Sequence, residues 1–376
     1  MPVDSTRVLY ELDDHFNKDP NIDEYDLIPF IETQDEKHLL VENHKLAINA
    51  SIVPTFYIFI YKLLLEIPRP FQAGHSLLSD NELKAVSYSR AVILVNPETA
   101  TAWNIRKELV VTNELCAKED LLFSKLILTK HPKSPETWVH RRWLLKNLYL
   151  DTSPKHVESD VILDEFTVCT MAADKYPSNY SAWSHRLWVL NSLVNDRKDE
   201  VLQKELLNSK TWINRHISDH SGLHYRGILI QFHIRKRHPN WLEVLLQEAS
   251  LVEELIDHYP CHEALWYYRR LIVYLLFKNA GSMDNSLLKS WAVQSRHKTT
   301  VIDQFDNADQ SCKDQSSCQA DTFEKSCGLK TTINVRSMNT VLENQNPIAH
   351  CIVDYNVRLF QLEMNIMILK ELKKTR

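Results

Sequence analysis

His131-Pro132-Lys133-Ser134-Pro135-Glu136-Thr137-Trp138-Val139-His140-Arg141-Arg142-Trp143-Leu144-Leu145 sets a proline six residues ahead of a tryptophan and an arginine three residues behind it. The same grammar returns at Pro97, Trp103 and Arg106, at Pro177, Trp183 and Arg186, and at Pro260, Trp266 and Arg269. A weaker copy, Leu223-His224-Tyr225-Arg226, has leucine for tryptophan and no upstream proline, and Trp212-Ile213-Asn214-Arg215 competes with it for the register. The starts at 103, 138, 183, 223 and 266 lie 35, 45, 40 and 43 residues apart, room in each unit for two helices and two loops.

Each unit reads as a helical hairpin. Ahead of the prolines, apolar residues recur at helical spacing, as in Ile162, Phe166, Cys169 and Ala173, or Phe123, Leu126 and Ile127. The proline then stops the helix, because its ring removes a donor and turns the preceding residue away from helical ψ. A second stripe follows: Trp183, Leu187, Leu190 and Val194 in one copy, Trp266, Val273 and Phe277 in another. Tryptophan and arginine three apart lie on one helix face, where the guanidinium can stack on an indole or reach an acid on the adjoining helix. The expected fold is all-α, an α-α superhelix or solenoid of helical-hairpin repeats with a tetratricopeptide-like crescent.

Composition excludes several alternatives. Five glycines in 376 residues leave little for phosphate-cradling loops or all-β hairpins. A net charge of −5 lacks the basic footprint of a nucleic-acid binder. Seven cysteines, odd in number and without a CxxC pair, suit reduced thiols and a cytoplasmic setting. The acidic start Met1 to Asp14 does not resemble a signal peptide, and Pro54 and Lys62 interrupt the apolar run Ser51 to Leu65, so no membrane span is expected. The last residues, Leu372 to Arg376, carry no CaaX box.

Four regions follow from these textures: 1–80 an acidic N-terminal helical cap, 81–278 about five hairpin repeats, 279–347 a low-complexity mobile insertion, and 348–376 a closing C-terminal helix.

Trp138 to Leu145, Asn179 to Trp188 (Asn-Tyr-Ser-Ala-Trp-Ser-His-Arg-Leu-Trp) and His262 to Arg269 resemble the repeat of the protein prenyltransferase α-subunit family, over roughly residues 85 to 275. The resemblance implies an α subunit wrapped around a β subunit that carries the catalytic zinc, with the Rab geranylgeranyltransferase type the favoured partner. The implied reaction transfers a prenyl group from prenyl diphosphate to a cysteine near the C-terminus of protein substrates such as small GTPases or trafficking proteins. This chain is then a subunit that is inactive alone, holding no cofactor or metal of its own.

The resemblance puts Lys133, five residues before Trp138, beside the diphosphate, where a cation neutralises the leaving group. The other copies have Glu98, Ser178 and Cys261 there. Tyr180 matches the tyrosine of the family's Asn-Tyr pair and is the second candidate, for substrate binding; Pro135 replaces that tyrosine in the Lys133 copy. Trp103, Arg106, Trp138, His140, Arg141, Trp183, His185, Arg186, His224, Tyr225, Arg226, Trp266 and Arg269 are repeat or interface residues, most of them packing. His216, His220 and His224 are four apart, but Ser218 to Gly222 reads as a loop with an N-cap that breaks their helix face, so no metal site is expected. The rival reading is a non-catalytic helical scaffold, which Pro135 and the degenerate copy favour.

Overall fold

The computed structural model describes residues 4–29, 38–69, 71, 80–150, 159–194 and 198–279. The insertion expected at 279–347, save Asn279 itself, and the closing helix expected at 348–376 lie outside the described residues. The chain divides into two compact units, one within Met1–Lys210 and Asp219–Tyr225, the other within Thr211–Ser218 and Arg226–Arg376.

The repeat region is helical, as the periodicity predicts. Helices α3 (Asp80–Val95), α5 (Ala117–Lys130), α7 (Ser159–Lys175), α9 (Lys198–Arg215) and α11 (Trp241–His258) are first helices. Each is followed by a second: α4 (Ala100–Val111), α6 (Pro135–Tyr149), α8 (Tyr180–Ser192), α10 (His220–Arg235) and α12 (Glu263–Asn279). In the first unit α3 packs on α4, α5 on α6 and α7 on α8, while α6 touches both α4 and α8. In the second, α11 packs on α12. Trp212 lies inside the first helix α9, so Leu223 in α10 holds the tryptophan position of the fourth copy and the competing register is set aside.

The second helices begin alike. Thr99, Ser134, Asn179 and Asp219 each stand four residues before the tryptophan position. Ser134 accepts from the amide of Thr137, Asn179 from Ala182 and Asp219 from Gly222, which satisfies first-turn N–H groups. Asn179 does more: its amide nitrogen donates to the carbonyls of Pro132 and Ala172, tying one interhelix loop to the loop before it.

Residues 1–80 depart from the helical cap expected there. After α1 (Ser5–Lys18) comes a three-stranded sheet of β1 (Glu24–Ile28), β2 (Leu39–Glu42) and β3 (Lys45–Asn49), and then α2 (Val53–Glu66). Sheet order is β1-β3-β2, with β1 parallel to β3 and β2 antiparallel to it. Asn43 and His44, both with positive φ, make the two-residue turn that a twisted hairpin favours. Apolar alternation within four- or five-residue strands turns Tyr25, Leu39, Leu46 and Ile48 inward. They join Val8, Leu12, Phe56, Ile60, Ile93 and Trp103 in one core that runs on to Ile127 of α5.

Candidate functional site

The motif arginines are buried, and the first four each answer a buried acid in the first helix of the next repeat. Arg106 donates to Asp120 at 2.7 Å, Arg141 to Glu165 through two nitrogens at 2.9 and 2.7 Å, and Arg186 to Glu205 through two at 2.6 and 2.8 Å. In the second unit Arg226 does the same with Glu248, at 2.7 Å from Nε. Such bidentate charge-assisted pairs offset the desolvation of both ions only when the remaining lone pairs are also used.

They are used. The residue just ahead of the next arginine reaches back to the same acid: His140 to Asp120 at 2.6 Å, His185 to Glu165 at 3.0 Å, Tyr225 to Glu205 at 2.6 Å and Tyr268 to Glu248 at 2.6 Å. In all four cases the acid precedes its histidine or tyrosine by 20 residues. The first copy has Ala85 and Ile105 at that spacing, both buried and apolar, so the charged arrangement is missing there. Three of these guanidinia also tie down their own hairpin: Arg106 donates to the Ser89 hydroxyl, Arg141 to the Leu121 carbonyl and the Ser124 hydroxyl, and Arg186 to the Phe166 carbonyl and Thr170.

Burial raises the Glu165 carboxyl, but Arg141 and His185 outweigh it and hold the group at about 2. Asp120 and Glu205 are likewise held low against burial, by Arg106 with His140 and by Arg186 with Tyr225. Burial pushes His140 and His185 below the ordinary imidazole value, even though each faces a carboxylate. Both rings are therefore neutral at physiological pH. Arg142 donates to Nδ1 of His185 at 3.3 Å, which leaves the ring proton on Nε2 for Glu165.

The tryptophans pack between copies. Trp103 meets the ring of His140 at 4.5 Å, Trp138 that of His185 at 4.8 Å and Trp183 that of Tyr225 at 5.2 Å. Trp103, Trp138 and Trp266 give their indole N–H to the carbonyl of the proline six residues before. Trp183 donates to Asp219. In the last repeat Arg269 donates to Glu253 at 2.7 Å and lies over the Trp266 ring. The motif residues expected at repeat or interface positions are thus interior, apart from exposed His224 and half-buried Trp266. The four bridging acids are absent from the sequence-level candidates; their twenty-residue spacing from His140, His185, Tyr225 and Tyr268 is the signal that marks them.

Lys133 stands apart from this interior network. It is exposed in the loop between α5 and α6, beside the N-cap Ser134. Its ammonium sits 4.2 Å from the ring centre of Tyr176, just past the end of α7, and forms no ion pair among the described residues. Tyr180 opens α8 and is 71% exposed. Pro135 takes the first position of α6, where its fixed φ suits a helix start and its missing N–H costs nothing. His216 follows the end of α9 and His220 begins α10, so the three spaced histidines do not share one helix. Among the described residues no three His, Cys, Asp or Glu side chains converge to hold a metal ion, and no helix is long and apolar enough to cross a membrane.

Fold and interior together define a class: a helical-hairpin repeat protein whose neighbouring repeats share buried carboxylates. Residues 117–148, 162–193 and 245–276 match the family model described as the protein prenyltransferase alpha subunit repeat. The chain is 37% identical over 326 residues to the human protein prenyltransferase alpha subunit repeat-containing protein 1, covering 73% of this chain and 79% of that one. Its zebrafish counterpart is 35% identical over 314 residues, 72% of each. The bovine geranylgeranyl transferase type-2 subunit alpha is 27% identical over 218 residues, 54% of this chain and 35% of the relative. The chain belongs to the protein prenyltransferase α-subunit repeat family.

Proposed function

We propose that this chain is the α-type subunit of a heterodimeric protein prenyltransferase, most simply a geranylgeranyltransferase, that works with a β subunit bearing the zinc. The observation that carries the reading is Lys133: an exposed ammonium without a carboxylate partner among the described residues, held over an aromatic ring, in one copy of the repeat only. A cation so placed can neutralise the diphosphate as the thioether bond forms, and it gains most where the leaving group's charge grows. A zinc ion on the β subunit would hold the substrate's cysteine as the thiolate. Tyr180, exposed at the start of the next second helix, offers a hydroxyl to the same substrate. Resemblance to a geranylgeranyl transferase type-2 subunit alpha supports the choice of prenyl donor and of the β partner. The protein substrates are then those with a cysteine near the C-terminus, such as small GTPases or trafficking proteins, in the cytoplasm.

A second reading, a scaffold that kept the repeats and lost the reaction, is favoured by Pro135. Co-expression with prenyltransferase β subunits of each type, followed by gel filtration and a zinc-dependent transfer assay, separates the two. The enzyme reading expects a 1:1 complex whose turnover falls about a hundredfold in Lys133→Ala, as when one charge-stabilising donor is removed, with complex formation intact. A complex that transfers to no substrate supports the scaffold.

A further inference from the structure

The sheet in residues 24–49 has no place in a pure hairpin array, yet one strand of it lies against the helix that leads into the Lys133 loop. Strand β1 packs on α5. Three successive β1 residues contact the helix ends next to the Lys133–Tyr176 pair. Asp26 is ion-paired with Lys130, the last residue of α5 and three positions before Lys133. The buried ring of Tyr25 meets that of His131, the C-cap of the same helix, at 6.3 Å. Glu24 pairs at 2.5 Å with Lys175, the last residue of α7 and the neighbour of Tyr176, and also faces Lys45 of β3 at 3.4 Å.

The loop itself is held from the other direction. The Pro132 carbonyl accepts from the indole of Trp138 at 3.0 Å and from Asn179 at 2.8 Å. Asn179 and the packing of α5 on α7 set the interval between the end of α5, where Lys133 is rooted, and the end of α7, where Tyr176 is rooted, and β1 adds a second tie across it. A strand with acids two residues apart, both on one side, spans that interval.

We propose that Glu24, Tyr25 and Asp26 are positioning residues for Lys133: strand β1 clamps the C-terminal ends of α5 and α7 and so sets the Lys133 ammonium over Tyr176. This rests on the reading of Lys133 as the diphosphate-facing cation. The strand acts through the lysine and touches no substrate. A preplaced lysine gives up its rotamer freedom before the substrate arrives, so the benefit falls on turnover and prenyl diphosphate binding together.

The test uses the full chain in complex with its β subunit. Glu24→Gln with Asp26→Asn removes both acids while keeping size, and it leaves the Tyr25 core intact. The expected result is a drop of about threefold to tenfold in kcat/KM for prenyl diphosphate, the scale that two partly exposed ion pairs allow. Acetylation of Lys133 by a water-soluble anhydride, followed by peptide mass spectrometry, should rise by a similar factor. Charge-conserving Glu24→Asp with Asp26→Glu should keep most of the native transfer and the native Lys133 acetylation. In a Lys133→Ala background the double substitution should have no further effect on transfer. Unchanged transfer and unchanged Lys133 acetylation, in an enzyme that Lys133→Ala does slow, overturns the clamp and leaves the function standing. Transfer indifferent to Lys133→Ala removes the function, and the inference falls with it.

Discussion

Arg141 reaches Glu165 through two nitrogens, Leu121 through a carbonyl and Ser124 through a hydroxyl, all in the interior. Truncating Arg141 to alanine leaves Glu165 charged, buried and short of its main partner, so unfolding by urea should show a loss of about 3–5 kcal/mol. Tyr25 presents the opposite case. Its hydroxyl is buried without a hydrogen-bond partner, so Tyr25→Phe should leave stability equal or raise it by about 1 kcal/mol, read from the same urea midpoint. His140 and His185 add a pH dependence. Their folded values lie below the ordinary 6.5, so the unfolded chain binds protons that the fold refuses, and stability present above about pH 6.5 is lost as pH falls through that value. Glu165, low at about 2 against an ordinary 4.5, extends the loss below pH 4.5. Since tyrosine fills the same place at 225 and 268, His140→Tyr with His185→Tyr should keep the fold and flatten the decline in melting temperature between about pH 7 and 5. At this scale the arginines and tryptophans were legible because one spacing recurs. The acids were not, since a buried carboxylate on a first helix looks like any solvent-facing acid until its partner twenty residues on is known.

At the scale of elements, the hairpins were readable from periodicity and proline, and the second helices start where the tryptophan positions say they should. The N-caps carry the detail. Ser134 caps one helix, whereas Asn179 caps another and also ties its loop to Pro132 and Ala172. Ser134→Ala should therefore cost about 1 kcal/mol in chemical denaturation. Asn179→Ala should cost roughly 2–3 kcal/mol, because it also leaves the Pro132 and Ala172 carbonyls short of a donor. The sheet was missed for a physical reason. Its strands are four or five residues long, their outward positions mix Glu24, Asp26 and Lys45 with the exposed Leu40, and β1 pairs in parallel with β3 although β2 separates the two in sequence, so no local turn joins that pair.

For the first unit as a whole, one apolar core joins α1, the sheet and α2 to α3, α4 and α5. The N-terminal segment is thus structural to the opening repeats. A chain lacking residues 1–71 should expose Ile93 and its neighbours, and hydrogen exchange should show lost protection in α3 and α4 while α11 and α12 stay protected. Family and fold could be read from the repeat alone. The placement of Lys133 between two first-helix ends could not, because it depends on a strand more than a hundred residues away.

The shared carboxylates carry one more consequence. From acid to the following histidine or tyrosine the spacing is 20 in every case, but from arginine to the following acid it is 14, 24, 19 and 22. Length is locked within a hairpin and free between hairpins. For protein engineering this is a map of permissive seams. An epitope tag or fluorescent reporter inserted between α4 and α5, or between α6 and α7, should leave every buried charge matched. One residue added between α5 and α6 would throw Asp120 and His140 out of step. The same rule governs how such a gene can grow: a duplication preserves the charge pairing only when its ends fall in these seams, so whole hairpins are the unit that can be gained or lost.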